Sequence, residues 1–179
     1  SFYYFAYGSN LLAKRIHLNN PTAKRFDFGY IEDFQLGFSH YAERWGGAPA
    51  TIIPANGLRV YGAIWTISLE NLADLDRQEG VHNSVYTPLS LPVISSAGEK
   101  IICRVYQLVN NPVKLSDNAV VPYERQPSLT YLRVIIKGAE ETGLPESYIS
   151  FLKNIPHNDK LGDPKLASDT LNITATIAT

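Results

Sequence analysis

The chain has 179 residues, 45% of them hydrophobic and 11% aromatic, which is room for one domain of about 150 residues and a tail. Sixteen basic against seventeen acidic residues leave a net charge of −1, so no global field exists to hold nucleic acid or an anionic membrane. No apolar run approaches the ~20 residues of a membrane span, and the single cysteine, Cys103, excludes an internal disulfide and suits a reducing, cytoplasmic compartment.

The first predicted element is an aromatic strand, Phe2 to Tyr7, that breaks into Gly8-Ser9-Asn10 before a short helix over Leu11 to Leu18. A strand that stops on glycine ahead of a helix leaves several backbone N–H groups unpaired and aimed together, which makes an anion cradle. Gly8 permits close approach and positive φ, Ser9 and Asn10 are candidate caps, and Tyr4 and Tyr7 can wall a pocket. The spacing alone is also that of an ordinary strand-to-helix turn. Asn19-Asn20-Pro21 ends the helix, with asparagine in a left-handed cap. The doublets Lys14-Arg15 and Lys24-Arg25 read as solvated faces.

Ala23 to Ser39 reads as strand with a turn near Gly29 to Asp33, and Tyr41 to Pro49 as a loop, either surface punctuation or a flap carrying Trp45. Thr51 to Ile53 and Arg59 to Ile67 read as two strands joined by a hairpin at Pro54-Ala55-Asn56-Gly57. The second is apolar on both faces, as a central strand is, with Gly62 at a close backbone approach. Ser68 then opens a helix to Glu79, with Gly80 as its stop. At 100° per residue, Leu69, Leu72 and Leu75 form one apolar arc, and Glu79 falls on it. Burial and the helix dipole both oppose ionisation there, which suits a carboxyl that takes and returns a proton near neutral pH. Asp76 borders the same arc and is the reserve candidate. An outward tilt of Glu79 at a frayed end, or a pair with Arg77 or His82, is the alternative.

Val85 to Ile94 and Lys100 to Val109 read as a strand pair around Ser95 to Glu99, with Cys103 as buried filler. Asn110 to Pro122 is irregular. Pro127-Ser128 opens a helix through Thr142, with Leu129, Leu132, Ile135, Ile136 and Ala139 inward and Gly143 as its stop. Pro145 to Ile155 is a last short helix. Residues 1–160 form one domain, and 161–179 a tail, weakly patterned from Ala167 to Thr179 and expected to be partly disordered. Asn172-Ile173-Thr174 matches a glycosylation acceptor and is read as chance. The four histidines have no ligand spacing, so neither a metal nor any other cofactor is expected. The chain opens on Ser1 and contains no methionine, so a removed leader stays open.

Tyr4-Phe5-Ala6-Tyr7-Gly8-Ser9-Asn10-Leu11, followed by Arg15-Ile16-His17-Leu18 and Asn20-Pro21, resembles the opening of the gamma-glutamylcyclotransferase family. Asp76-Arg77-Gln78-Glu79-Gly80-Val81 is similar to that family's acidic Gln-Glu-Gly motif, and Lys137-Gly138-Ala139 with Gly143-Leu144-Pro145 to its late helix and turn. The likeness runs in order from Phe2 to Asp159. It implies an α/β (α+β) fold, a mixed barrel-like sheet with helices packed around it, and cofactor-free cleavage of gamma-glutamyl amino acids to 5-oxoproline and a free amino acid. It places the catalytic role on Glu79, substrate binding on Tyr4 to Asn10, and a further substrate contact on Tyr131.

The resemblance also implies a homodimer, a small-molecule gamma-glutamyl substrate, no nucleic-acid or membrane partner, and a place in glutathione and gamma-glutamyl turnover. The chain departs from the family around Tyr41 to Pro49 and Asn118 to Gln126, which bears on the flap and on leaving-group specificity. The rivals are a gamma-glutamylamine cyclotransferase of the same fold, a serine hydrolase using Ser9 with His82 or His17, and a non-catalytic binding module that retains the pocket.

Overall fold

The computed structural model describes residues 1–171. Five strands, β1 (Phe2–Ala6), β2 (Lys24–Phe38), β3 (Ala50–Ile67), β4 (Tyr86–Ser95) and β5 (Lys100–Leu108), close into a barrel in the order β1-β3-β2-β4-β5. All pairs are antiparallel except the closing one, where β1 meets β5 in parallel at Tyr4 opposite Arg104. Among the described residues, five helices lie around the barrel: α1 (Ala13–Asn19), α2 (Leu72–Gln78), α3 (Leu129–Thr142), α4 (Glu146–Lys153) and α5 (Pro164–Leu171). Among the described residues, no helix is long and apolar enough to cross a membrane.

Where four short strands were expected, two long ones run through both suspected turns. Glu32 pairs with Arg59 and Phe34 with Pro54, so Asp33 faces the whole stretch 55–58 across one irregularity. Asp33 adopts φ 65° and Gly57 φ 82°, and the Asp33 carboxylate accepts the Gly57 N–H at 2.9 Å. Gly29 to Glu32 stay in regular pairing with Arg59 to Gly62, and only Asp33 meets the 55–58 stretch, in a bulge that bends the ribbon. The β4–β5 pair and the buried, two-sided Val60–Ile67 stretch match the sequence reading.

The first helix is delayed. Ser9–Leu11 forms a 3-10 turn and α1 begins only at Ala13. Asn20 ends it at φ −133°, outside the left-handed region, with its side chain bonded to Gln78. The helix before Glu79 also starts as a 3-10 turn, Leu69–Asn71, which swings Leu69 out to 63% exposure and removes it from the apolar arc. The expected tail contains α5, which buries Leu166, Ala167 and Thr170 and packs on α1 and α3. Residues 172–179, including Asn172-Ile173-Thr174, lie outside the described residues.

Helix α3 forms as read: the Ser128 hydroxyl accepts the Tyr131 N–H at 3.0 Å, and Gly143 closes it at φ 79°. Its buried set is Thr130, Tyr131, Leu132, Val134, Ile135, Gly138 and Ala139, wider than the arc expected, while Leu129 and Ile136 stay partly exposed. Gly138 explains the contact with the first corner, because a Cβ there would lie 2.6 Å from both Leu11 Cβ and Leu12 N. Gly138→Ala should therefore lower unfolding stability by ~1 to 3 kcal/mol in a urea melt. An unchanged midpoint would mean that α3 does not press on the corner.

Candidate active site

Strand β1 ends at Ala6, and the backbone turns through Gly8 at φ −113°, so positive φ is not why glycine stands there. The reason is space: a Cβ on Gly8 would sit 3.3 Å from the Tyr131 hydroxyl and 3.4 Å from Ala50 Cβ. The first bonded donors of the turn are Leu11 N, to Gly8 O at 3.1 Å, and Leu12 N, to Ser9 O at 3.2 Å. The amides of Gly8, Ser9 and Asn10 come before them, as the orphan donors of any helix start do. Neither Ser9 nor Asn10 caps with its side chain. Instead Asn10 donates through Nδ2 to the Tyr4 hydroxyl at 3.1 Å and accepts Trp65 Nε1–H on its carbonyl at 3.0 Å, which pins the corner from both sides.

This corner faces a cavity of ≈50 Å³, also lined by Tyr4, Tyr7, Glu79 and Tyr131. Phe5 and Ala6, expected in the same loop, are not in the wall; both are fully buried in the core. Three wall residues escaped the sequence reading: Ala50, Tyr86 and Tyr106. The tyrosine hydroxyls divide into two kinds. Tyr4 accepts from Asn10, and Tyr131 accepts the Ala50 N–H at 2.9 Å, so each keeps its own proton for a ligand. Tyr7 donates to the Tyr106 carbonyl and Tyr86 to the Ala50 carbonyl at 2.6 Å, so each offers a lone pair. Burial raises the pKa of Tyr4, Tyr7, Tyr86 and Tyr131, which keeps all four neutral. Together with the corner amides, this wall can receive an anion and an ammonium at once.

Glu79 enters from the end of α2, at φ −82° and ψ 0°, with Gly80 at φ 70° stopping the helix. Gln78 locks this end to the end of α1, accepting from Asn20 Nδ2 at 2.7 Å and donating to the Asn19 carbonyl at 3.3 Å. The carboxyl pKa is raised to about 7, first by burial and further by the Asp76 charge, with the Arg15 charge opposing. Asp76 itself is committed elsewhere: Arg104 grips it through Nε at 3.0 Å and Nη2 at 2.7 Å, and the Tyr106 hydroxyl donates to it. It is a structural anchor for the α2–β5 contact, not a second acid.

The Lys-Arg doublets are not simply solvated. Arg15 is half-buried, and Arg25 pairs with Glu141 at 2.6 Å over the Trp65 ring. Trp45 is 7% exposed, its ring 4.6 Å from that of Tyr131. Its loop is tied down by Asn158 Nδ2 to the Gly46 carbonyl at 2.8 Å and Asp163 N to the Arg44 carbonyl at 3.0 Å, so Trp45 buttresses the wall. His17 bonds the Ala23 carbonyl at 2.9 Å through Nε2 and His82 is exposed beside Asn83; neither lines the cavity with Ser9. Cys103 is buried and its thiol pushed up to about 12, which fits packing. Among the described residues, no group of three His, Cys, Asp or Glu is placed to hold a metal.

The AIG2-like family model matches residues 59–152. A Bos taurus protein named gamma-glutamylcyclotransferase is 41% identical over 167 residues, covering 90% of this chain and 82% of its own length. The Homo sapiens protein of that name is 40% identical over the same shares of both chains. A solved structure named gamma-glutamyl cyclotransferase superposes with a TM-score of 0.84 at 37% identity, over 96% of this chain and 98% of that one.

The raised pKa of Glu79 has a thermodynamic consequence that needs no substrate. From an ordinary value of 4.5 up to about 7, the native protein holds a proton that the unfolded chain releases. Stability therefore falls as pH rises through that window, and the full penalty stands above it. Glu79→Gln should melt higher than the parent at pH 8, by an amount on the order of 3 kcal/mol or less, and the gap should close toward pH 4. Equal melting at both ends would mean that the carboxyl is solvated.

Proposed function

The chain belongs to the gamma-glutamylcyclotransferase family, and on that premise we propose that it cyclises gamma-L-glutamyl amino acids to 5-oxoproline, releasing the second amino acid. The observation that carries this reading is a carboxyl with pKa about 7 in the same small cavity as the corner amides and the donor tyrosines. The substrate supplies its own nucleophile, so no enzyme nucleophile is needed, and folding the glutamyl chain back on itself supplies the proximity.

The substrate reacts in its amine form. Its α-nitrogen attacks the γ-carbonyl carbon, and the carboxylate of Glu79 takes a proton from that nitrogen. Glu79 then returns the proton to the departing nitrogen as the old amide C–N bond breaks. The released amine takes up its last proton from water. A carboxyl of ordinary pKa would be a poor acid for the second step, and one raised far above neutrality would rarely be a base for the first. The ammonium that precedes the amine finds lone pairs on Tyr7 and Tyr86. Protons of Tyr4 and Tyr131, with the amides of Gly8, Ser9 and Asn10, meet the α-carboxylate or the oxyanion of the tetrahedral intermediate.

We assign the catalytic unit to residues 1–160, with α5 as a brace on its outer side. The cytoplasm suits a chain whose single cysteine is buried. A homodimer and a part in glutathione turnover follow from the family likeness. Size-exclusion chromatography with light scattering reads the oligomer directly.

Glu79→Gln should cut kcat/KM for 5-oxoproline release from gamma-glutamyl-alanine by ~10²- to 10⁴-fold or more, while the dipeptide still binds. The parent's kcat/KM should rise with pH through about 7 as Glu79 ionises. A glutamine variant that retains a near-parent rate would remove the mechanism.

A further inference from the structure

Arg15 is a cation without a counter-ion. It lies on α1, just past the corner, and its Nε is fully shielded with no hydrogen-bond partner. Among the described residues, none forms an ion pair or hydrogen bond with its guanidinium, whereas two other partly buried arginines are matched: Arg25 with Glu141 at 2.6 Å and Arg104 with Asp76 at 2.7 Å. Arg15 instead stands over the Trp45 ring, 5.6 Å from its centroid, and that ring leans on Tyr131. Its charge is felt by Glu79 and by Tyr131, both in the cavity wall. Exposed Arg44, next to Trp45 in the chain, adds a second positive charge that acts on Arg15. A half-buried guanidinium whose Nε is shielded and unpaired is favoured by a ligand that completes it, and a planar fork backed by an indole is suited to a carboxylate.

The proposed substrate carries two carboxylates. Cyclisation holds the α-amine and γ-carbonyl beside Glu79, which keeps the glutamyl carboxylate with them inside. The second residue lies across the scissile amide from those groups, so it extends away from them. Arg15 stands outside the lining but within electrostatic reach of it. We propose that Arg15, backed by Trp45 and Arg44, receives the carboxylate of the departing amino acid and so selects amino acids over simple amines as leaving groups. This rests on the cyclotransferase reading and deepens it.

The test is the ratio of kcat/KM for gamma-glutamyl-alanine to that for gamma-glutamyl-alaninamide, which differ at that carboxylate alone. Both are measured on single preparations of the parent, Arg15→Gln and Arg15→Lys. The parent should favour the acid by ~10- to 100-fold, the worth of a charge-assisted contact. In Arg15→Gln the ratio should collapse toward unity, and Arg15→Lys should keep part of it. Because the ratio is taken within one preparation, partial misfolding or a shifted Glu79 pKa cancels. A glutamine variant with the parent's ratio, or a parent with no preference, overturns the inference alone. No 5-oxoproline from either substrate with the parent overturns the cyclotransferase reading and this inference together.

Discussion

A carboxyl kept near neutrality inside a wall of tyrosines is the constraint on which the rest of this molecule depends. Glu79 sits where burial and the Asp76 charge push its pKa up while Arg15 pulls it down. Removing water raises the cost of its negative form, and that cost makes it useful as a group that accepts and returns a proton. The surroundings are consistent with this. Tyr4, Tyr7, Tyr86 and Tyr131 stay neutral, so they orient a ligand without competing for the proton.

The barrel exists to bring distant stretches to this point. Tyr4 and Gly8 arrive from β1 and its end, Ala50 from the start of β3, Tyr86 from the start of β4, Tyr106 from β5 and Tyr131 from α3. Several of these meetings are enforced by backbone contacts. Ala50 gives its N–H to Tyr131 and its carbonyl to Tyr86, so the backbone of one residue sets the roles of two hydroxyls. Gly8 and Gly138 let α3 and its tyrosine come close enough to share the wall with the corner. The Asn20–Gln78 contact fixes the end of α2, and through it the backbone from which Glu79 reaches inward.

Much of this was legible in the sequence, for reasons that can be named. The break of an aromatic strand on Gly8-Ser9-Asn10 is a local signal, and so is the place of Glu79 above Leu75 at helical spacing. Local signals gave two of the six cavity-building stretches, and the family likeness added Tyr131. Tyr86, Tyr106 and Ala50 were invisible because their convergence depends on the register of barrel closure, which no short window encodes. The turn residues Gly29 to Asp33 and Pro54 to Gly57 misled for a related reason. Each looks like a hairpin alone, but Gly29 to Glu32 continue the ladder and only Asp33 meets the 55–58 stretch, in one bulge. Arg15 looked like half of a solvated doublet because charge pattern says nothing about a tryptophan thirty residues later.

The most direct test is to titrate the Glu79 carboxyl itself, by carbon NMR on protein carrying ¹³C-carboxyl glutamate, with Glu79→Gln identifying the resonance. The account predicts one glutamate that ionises near pH 7, well apart from the others, and that is missing from the variant. If every glutamate resonance titrates below about pH 5, the carboxyl is not held as described, and the proton transfer on which the proposed cyclisation turns has no group to perform it.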